Sequence, residues 1–120
     1  MKIDQNIKER WVKALRDQKL PKHREGMRSL KTGAMDVLGV LCDVLKETSK
    51  AHWENESFIY RGKPHIYVPP LSYSLMMGLS HERIENASIL FNGSKVPLFR
   101  LNDDTNLTLS EIANLIEEQL

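Results

Sequence analysis

A chain of 120 residues, 41% hydrophobic and 28% charged, has the make-up of a single ordinary folded domain spanning residues 1–120. No apolar run approaches the ~20 residues of a bilayer-crossing helix, MKIDQNIKER offers no apolar signal segment, and one cysteine, Cys42, closes no internal disulfide, so a reducing cytosol is the expected setting. The net charge of +1 hides a gradient: residues 1–31 hold ten Lys and Arg against four acids, while residues 102–120 hold five acids and no Lys or Arg. Such ends either bind outside partners, or meet each other within a monomer or a head-to-tail oligomer.

Ile3, Ile7, Trp11 and Leu15 recur every four residues with Val12 on the flank. They predict an amphipathic helix over residues 4–19, capped by Asp4 and stopped by Pro21. Residues 19–31 then form a basic connector carrying Lys19, Lys22, Arg24, Arg28 and Lys31, closed by Gly33. Residues 34–45, AMDVLGVLCDVL, predict the central core helix, running on to about residue 50. Its only non-apolar residues, Asp36, Gly39 and Asp43, share one helical stripe, whereas a strand would put a charge on each face.

Residues 52–57 are polar and predict a loop, with Trp53 tucked back onto the core. Phe58-Ile59-Tyr60 and His65-Ile66-Tyr67-Val68 flank Arg61-Gly62-Lys63-Pro64 and predict a short hairpin. Pro70 suits the first turn of a short helix over 71–77, ended by Gly78, and residues 80–85 suggest one further turn. A second hairpin is marked by Asn92-Gly93, the pair that takes positive φ at both turn positions. It sets Phe91 opposite Ser94 and Ile89 opposite Val96, with Pro97 keeping the strand short. Thr108-Leu109-Ser110-Glu111 reads as a capping box that opens the last helix. Leu109, Ile112, Ala113, Ile116 and Leu120 line its inner face, and the acids near its C-terminus call for cationic neighbours.

The chemistry is less legible. Asp36 and Asp43 stand about 10 Å apart along a helix axis, too far to share a proton, and Gly39 between them leaves a notch for another backbone or a ligand. Cys42 and the histidines His23, His52, His65 and His81 lack metal-ligand spacing, so neither metal nor cofactor is expected. Residues 102–106 resemble a calcium loop but lack its sixth-position glycine and place Ala113 at the twelfth. Tyr60, Arg61, Lys63, His65 and Tyr67 interleave aromatic and basic side chains. With Arg24, Arg28 and Lys31 they would make a surface for phosphates or nucleic acid. Glycine-rich phosphate loops, G-x-S-x-G elbows and zinc-protease motifs are absent.

Leu38-Gly39-Val40-Leu41-Cys42-Asp43 resembles the LGVLCD signature of a group of small phage- and prophage-encoded proteins. The likeness continues in Trp11-Val12-Lys13-Ala14-Leu15, Leu30-Lys31-x-Gly33 and Pro69-Pro70…Gly78-Leu79. It closes with Leu101-Asn102-Asp103 and Ser110-Glu111-Ile112-Ala113-x-Leu115-Ile116-Glu117. The chain departs where the group often has a cysteine pair (here Asp36-Val37) and where Ser/Thr-Phe is usual (here Thr108-Leu109). The resemblance implies a phage or prophage origin and, by analogy with small phage accessory proteins, a role in binding host machinery or antiphage defence.

The expectation is therefore a compact α+β domain, with the central helix packed by the N- and C-terminal helices and two short hairpins at one side. Its expected function is that of a non-catalytic binding protein in a bacterial cytoplasm. The partner would be a host protein, or a phosphate-bearing ligand or nucleic acid held by the basic connector and the 58–68 hairpin. An enzyme using Asp43 with a histidine is a third, weaker reading.

Overall fold

The computed structural model describes residues 3–80 and 82–120; His81 lies outside them. Helix α1 (Gln5–Arg16) starts where the Asp4 carboxylate accepts the Ile7 N–H at 2.9 Å. It ends three residues before the expected limit, where the Asp17 N–H donates to the Lys13 carbonyl at 3.0 Å. Trp11, Val12 and Leu15 form its buried stripe, and the Trp11 indole N–H donates to the Val37 carbonyl at 2.9 Å.

The central helix, α2, is Val37–Leu45, shorter at both ends than the periodicity predicts. Asp36 is not a member of the helical stripe but the N-cap: its backbone is extended and its carboxyl accepts the Gly39 N–H at 2.6 Å. Upstream, Ser29 donates to the Ala34 carbonyl and Met35 bridges Arg28 antiparallel, around Gly33 at φ +78°. This non-local pairing pulls residues 34–35 out of the helix. Downstream, Ser49 Oγ donates to the Leu45 carbonyl and Lys50 turns left-handed at φ +56°, which closes residues 46–50 into turns. Gly39 does leave a notch, and the chain itself fills it: a Cβ there would lie 2.1 Å from the Met27 carbonyl oxygen.

Three strands follow as an antiparallel meander: β1 (His52–Glu54), β2 (Ser57–Tyr60) and β3 (Lys63–His65). Part of the expected loop at 52–57 is thus a strand, turned by Asn55 at φ +57°. The next turn is Arg61-Gly62, both at positive φ, two residues long instead of four. That geometry matches strand twist, so Phe58 pairs with His65 and Tyr60 with Lys63. Phe58 is buried and meets Trp53 and Tyr73 edge-on, with ring centroids 4.9 and 5.8 Å away.

Helix α3 (Leu71–Met76) begins after Pro70, and Gly78 follows its end at φ +90°. A 3₁₀ turn, Ile84–Asn86, comes next. Strands β4 (Ser88–Phe91) and β5 (Ser94–Pro97) pair in the register set by Asn92-Gly93, Ile89 opposite Val96 and Phe91 opposite Ser94. Pro97 then opens a helix that strand reasoning misses, α4 (Leu98–Asp103). Helix α5 (Leu109–Gln119) has both bonds of the capping box between Thr108 and Glu111.

The architecture is α+β, with two small antiparallel sheets. Helix α1 packs on both α2 and α5, while α4 sits on α2, the 3₁₀ turn and β5. One continuous core joins Trp11, Leu41, Tyr73, Ile89, Leu101 and Ile116. Charge is neutralised within the chain where the basic head crosses the acidic tail. Arg16 spans both Glu117 carboxylate oxygens, at 3.2 and 3.0 Å, and bonds Asn114 at 2.7 Å. No helix among the described residues is long and apolar enough to cross a membrane.

Candidate functional site: an acidic cleft at the start of the central helix

The first turn of α2 is held from three directions. Asp36 caps it from within. Met27 passes alongside, accepting the Asp36 N–H at 3.0 Å while donating its own N–H to the Ile66 carbonyl at 2.8 Å. From α4 comes Asn102, 1% exposed, whose Oδ1 accepts the Val37 N–H at 3.1 Å and whose Nδ2 donates to the His23 carbonyl at 3.1 Å. Asn102 thus joins connector, central helix and α4 in one set of bonds.

These three segments leave an open cleft of about 570 Å³, bounded also by residues 67–68 and the 3₁₀ turn. Glu25 and Asp103 carry exposed carboxyl groups on its wall, Asp36 and Glu85 buried ones, and Leu38 and Val68 supply apolar lining. Tyr67 and Phe99 edge it, 71% and 38% exposed. Glu85 is the unusual member. Its side chain is only 8% exposed, its Oε2 lies 3.7 Å from the Arg83 guanidinium, and its Oε1 has no hydrogen-bond partner among the described residues. Native buried polar atoms are nearly always paired, so this oxygen marks an incomplete hydrogen-bonding site.

Burial pushes the Asp36 carboxyl up to about 8, against the Gly39 N–H bond that favours its charged form; the charge of Asp103 adds to the rise. At neutral pH the carboxyl therefore keeps its proton in the folded chain. An unfolded aspartate titrates near 4, so between about pH 4 and 8 the folded state holds the extra proton. Stability contributed by this group is complete below about pH 4 and falls as pH rises to about 8. Asp36→Asn keeps an equally good N-cap with nothing to ionise. It is expected to match or exceed the parent in stability at pH 7.5 and to flatten the pH 5–8 dependence in urea denaturation; a steeper dependence would contradict the assignment.

Several of the remaining sequence-predicted residues are engaged within the chain. Arg24 lines the cleft with Tyr67, but its guanidinium donates to the Thr105 carbonyl at 3.1 Å and to Asn106 at 3.2 Å. Arg28 donates to the Asn55 carbonyl and lies 5.6 Å over the Trp53 ring. Arg61 lies 5.3 Å over the half-buried Tyr60, Lys31 and Lys63 are exposed, and burial pushes the half-buried His65 imidazole below its usual value. Asp43 accepts both Lys46 at 2.7 Å and the Trp53 indole at 3.1 Å, away from the cleft lining. Cys42 is buried with Sγ 3.7 Å from Met27 Sδ, and burial pushes its thiol well up. Among the described residues, no three His, Cys, Asp or Glu side chains are grouped to hold a metal ion.

Residues 3–120 match the family described as a domain of unknown function, DUF8296. The chain belongs to the DUF8296 family. No curated protein and no solved structure matches it. In this DUF8296 chain the cleft draws on Glu85 and Phe99, which sequence reasoning passes over, and on Asp103, which it notes only in the calcium-loop-like run 102–106. Glu85 sits in an unremarkable Ile-Glu-Asn triplet and gains its environment only when the 3₁₀ turn docks, where Ser74 Oγ accepts the Ile84 N–H at 2.9 Å. Phe99 and Asp103 belong to the unpredicted α4; the one available signal is Pro97 followed by Leu98 and Leu101 at helical spacing.

Proposed function

We propose that this DUF8296 protein is a non-catalytic binding protein that takes hold of its partner through the cleft at the start of α2. We further propose that it is of phage or prophage origin and acts in the bacterial cytoplasm on host machinery or antiphage defence. The observation that carries the binding reading is the unpaired, buried Glu85 oxygen in an open cleft edged by two exposed aromatic rings. Exposed aromatics beside a desolvated polar group are the usual ingredients of an interaction hot spot. Binding is favoured over turnover because Asp36 is engaged as a helix cap, Asp43 holds Trp53 and Lys46, and Cys42 is sealed in the core. The phage setting rests on the sequence resemblance alone.

Affinity capture from bacterial lysate tests this reading. The protein is expected to retain a defined partner, and the Tyr67→Ala/Phe99→Ala double variant to lose it while keeping its thermal transition. Removing two such rings typically lowers affinity by at least about tenfold. Retention that is indifferent to the double variant, or measurable turnover of a nucleotide or peptide abolished by one substitution, would overturn the proposal.

Phosphate or nucleic-acid binding is the alternative reading, and the exposed Lys31, Arg61 and Lys63 favour it. Against it, Arg24 and Arg28 already donate to backbone carbonyls of their own chain. If the alternative held, affinity for a short DNA or RNA duplex would fall steeply with salt and weaken further in Arg61→Ala. The cleft reading expects no such binding at ~150 mM salt, an ionic strength that screens exposed charges beyond about 8 Å.

A further inference from the structure

We infer that the group received by the cleft is a guanidinium, one that lies between the Tyr67 and Phe99 rings and meets the carboxylates of Glu85 and Asp103. This rests on the cleft being the binding site and names what it takes. Three carboxylates line the cleft, Glu25, Glu85 and Asp103, beside the neutral Asp36 carboxyl and the single cation Arg24, which is turned to Thr105 and Asn106. An anion would meet like charge. A purely apolar ligand would leave Glu85 Oε1 buried and unpaired, a state that costs the full desolvation of that oxygen.

A cation with several donors answers both conditions. Among the described residues Glu85 is held on one side, by Arg83 3.7 Å from Oε2, and the terminal torsion of a glutamate is soft, so Oε1 can swing to a donor entering the cleft. Exposed Asp103 supplies a second carboxylate on the same wall. Between guanidinium and ammonium, the rings decide. A planar, weakly hydrated guanidinium stacks on aromatic faces and presents donors in a fork, whereas an ammonium is a compact, strongly hydrated point charge. The volume of about 570 Å³ is within the range of ordinary ligand clefts and admits such a side chain with its flanking backbone. The same chemistry comes from an arginine of a partner chain or from a small free guanidine.

The test is an amide chemical-shift titration of the isotope-labelled full chain. The probes are N-acetyl-arginine methylamide, its lysine and citrulline counterparts, and agmatine. The arginine derivative is expected to shift the amides of Gly26, Val68 and Asn86, with the lysine derivative about tenfold weaker and the neutral citrulline derivative without effect. Glu85→Gln should remove the response. Asp103→Asn, whose amide oxygen can still accept from Asn102 Nδ2, should weaken it several-fold while the thermal transition is kept. A tighter response to the peptide-like arginine probe than to agmatine points to a partner's arginine, and the reverse order to a small guanidine; both keep the inference. Absence of shifts, equal response to arginine and citrulline derivatives, or a response unchanged in both variants would overturn it. If the probes fail while Tyr67→Ala/Phe99→Ala still abolishes macromolecular capture, the guanidinium is wrong and the cleft as binding site stands.

Discussion

Gly39→Ala is expected to destabilise the protein by about 3 kcal/mol, the upper part of the usual range for overpacking, and to lower Tm by roughly 10 °C for a domain of this size. In an isolated helix the same change would stabilise by about 1 kcal/mol. Here the added carbon would sit 2.1 Å from the Met27 carbonyl oxygen and 2.9 Å from its carbon. Neither atom is the free end of a flexible side chain. Met27 is fixed through bonds to Ile66 on one side and Asp36 on the other, so relieving the clash pulls the connector off the central helix and opens the cleft. Urea denaturation measures the effect, and a neutral or stabilising outcome would refute this close approach.

Asn102→Asp comes second, with an expected loss of about 3 kcal/mol at pH 7 from removed donors and a poorly paired buried charge. The substitution conserves shape, and the Val37 N–H keeps an acceptor. What disappears is the Nδ2 group that donates to the His23 carbonyl and to Asp103 Oδ1 at 2.9 Å. In its place a carboxylate would stand almost fully buried and next to the carboxylate of Asp103. Protonation restores a donor, so part of the loss should return near pH 4 to 5. Denaturation at the two pH values separates this from loss of shape, which would be pH-independent.

Legibility in the sequence followed how local the determining contact was. The β4–β5 register follows from two turn residues, Asn92-Gly93, and the start of α5 from four, 108–111; both are readable because every atom involved is near in sequence. The start of α2 is set by residues much farther away. Met35 is drawn into a bridge with Arg28 and Asp36 leans on Met27, so an apolar run with helical spacing overstated the helix by three residues. The notch at Gly39 was visible in the sequence, but its occupant, the Met27 backbone, was not. The first sheet differs from its expected form for another reason: Arg61-Gly62 closes a two-residue turn with a non-glycine residue at φ +50°, which residue preferences do not advertise.

The site was the least legible part. Asp36, Arg24 and Tyr67 were singled out for other reasons and do meet at the cleft. Glu85 and Phe99 are not singled out, and Asp103 is noted only in the calcium-loop-like run and the resemblance, because their roles come from the docking of a 3₁₀ turn and a six-residue helix too short to carry a periodic signal. Of the basic residues that suggest a binding surface, Arg24 and Arg28 bond to backbone carbonyls of the chain while Lys31, Arg61 and Lys63 stay exposed. Lys22 and Arg24 share the Thr105 carbonyl, at 3.0 and 3.1 Å, and so satisfy the loop that leads into α5.

Hydrogen–deuterium exchange of the captured complex, compared with the free chain, tests the binding site most directly. The expected footprint is slowed exchange at residues 24–26, 67–68, 85–86 and 99–103, with the Arg61-Gly62 turn and the exposed Leu71 and Leu75 of α3 unchanged. Protection confined to that turn or to α3, with the cleft exchanging as in the free protein, would contradict it.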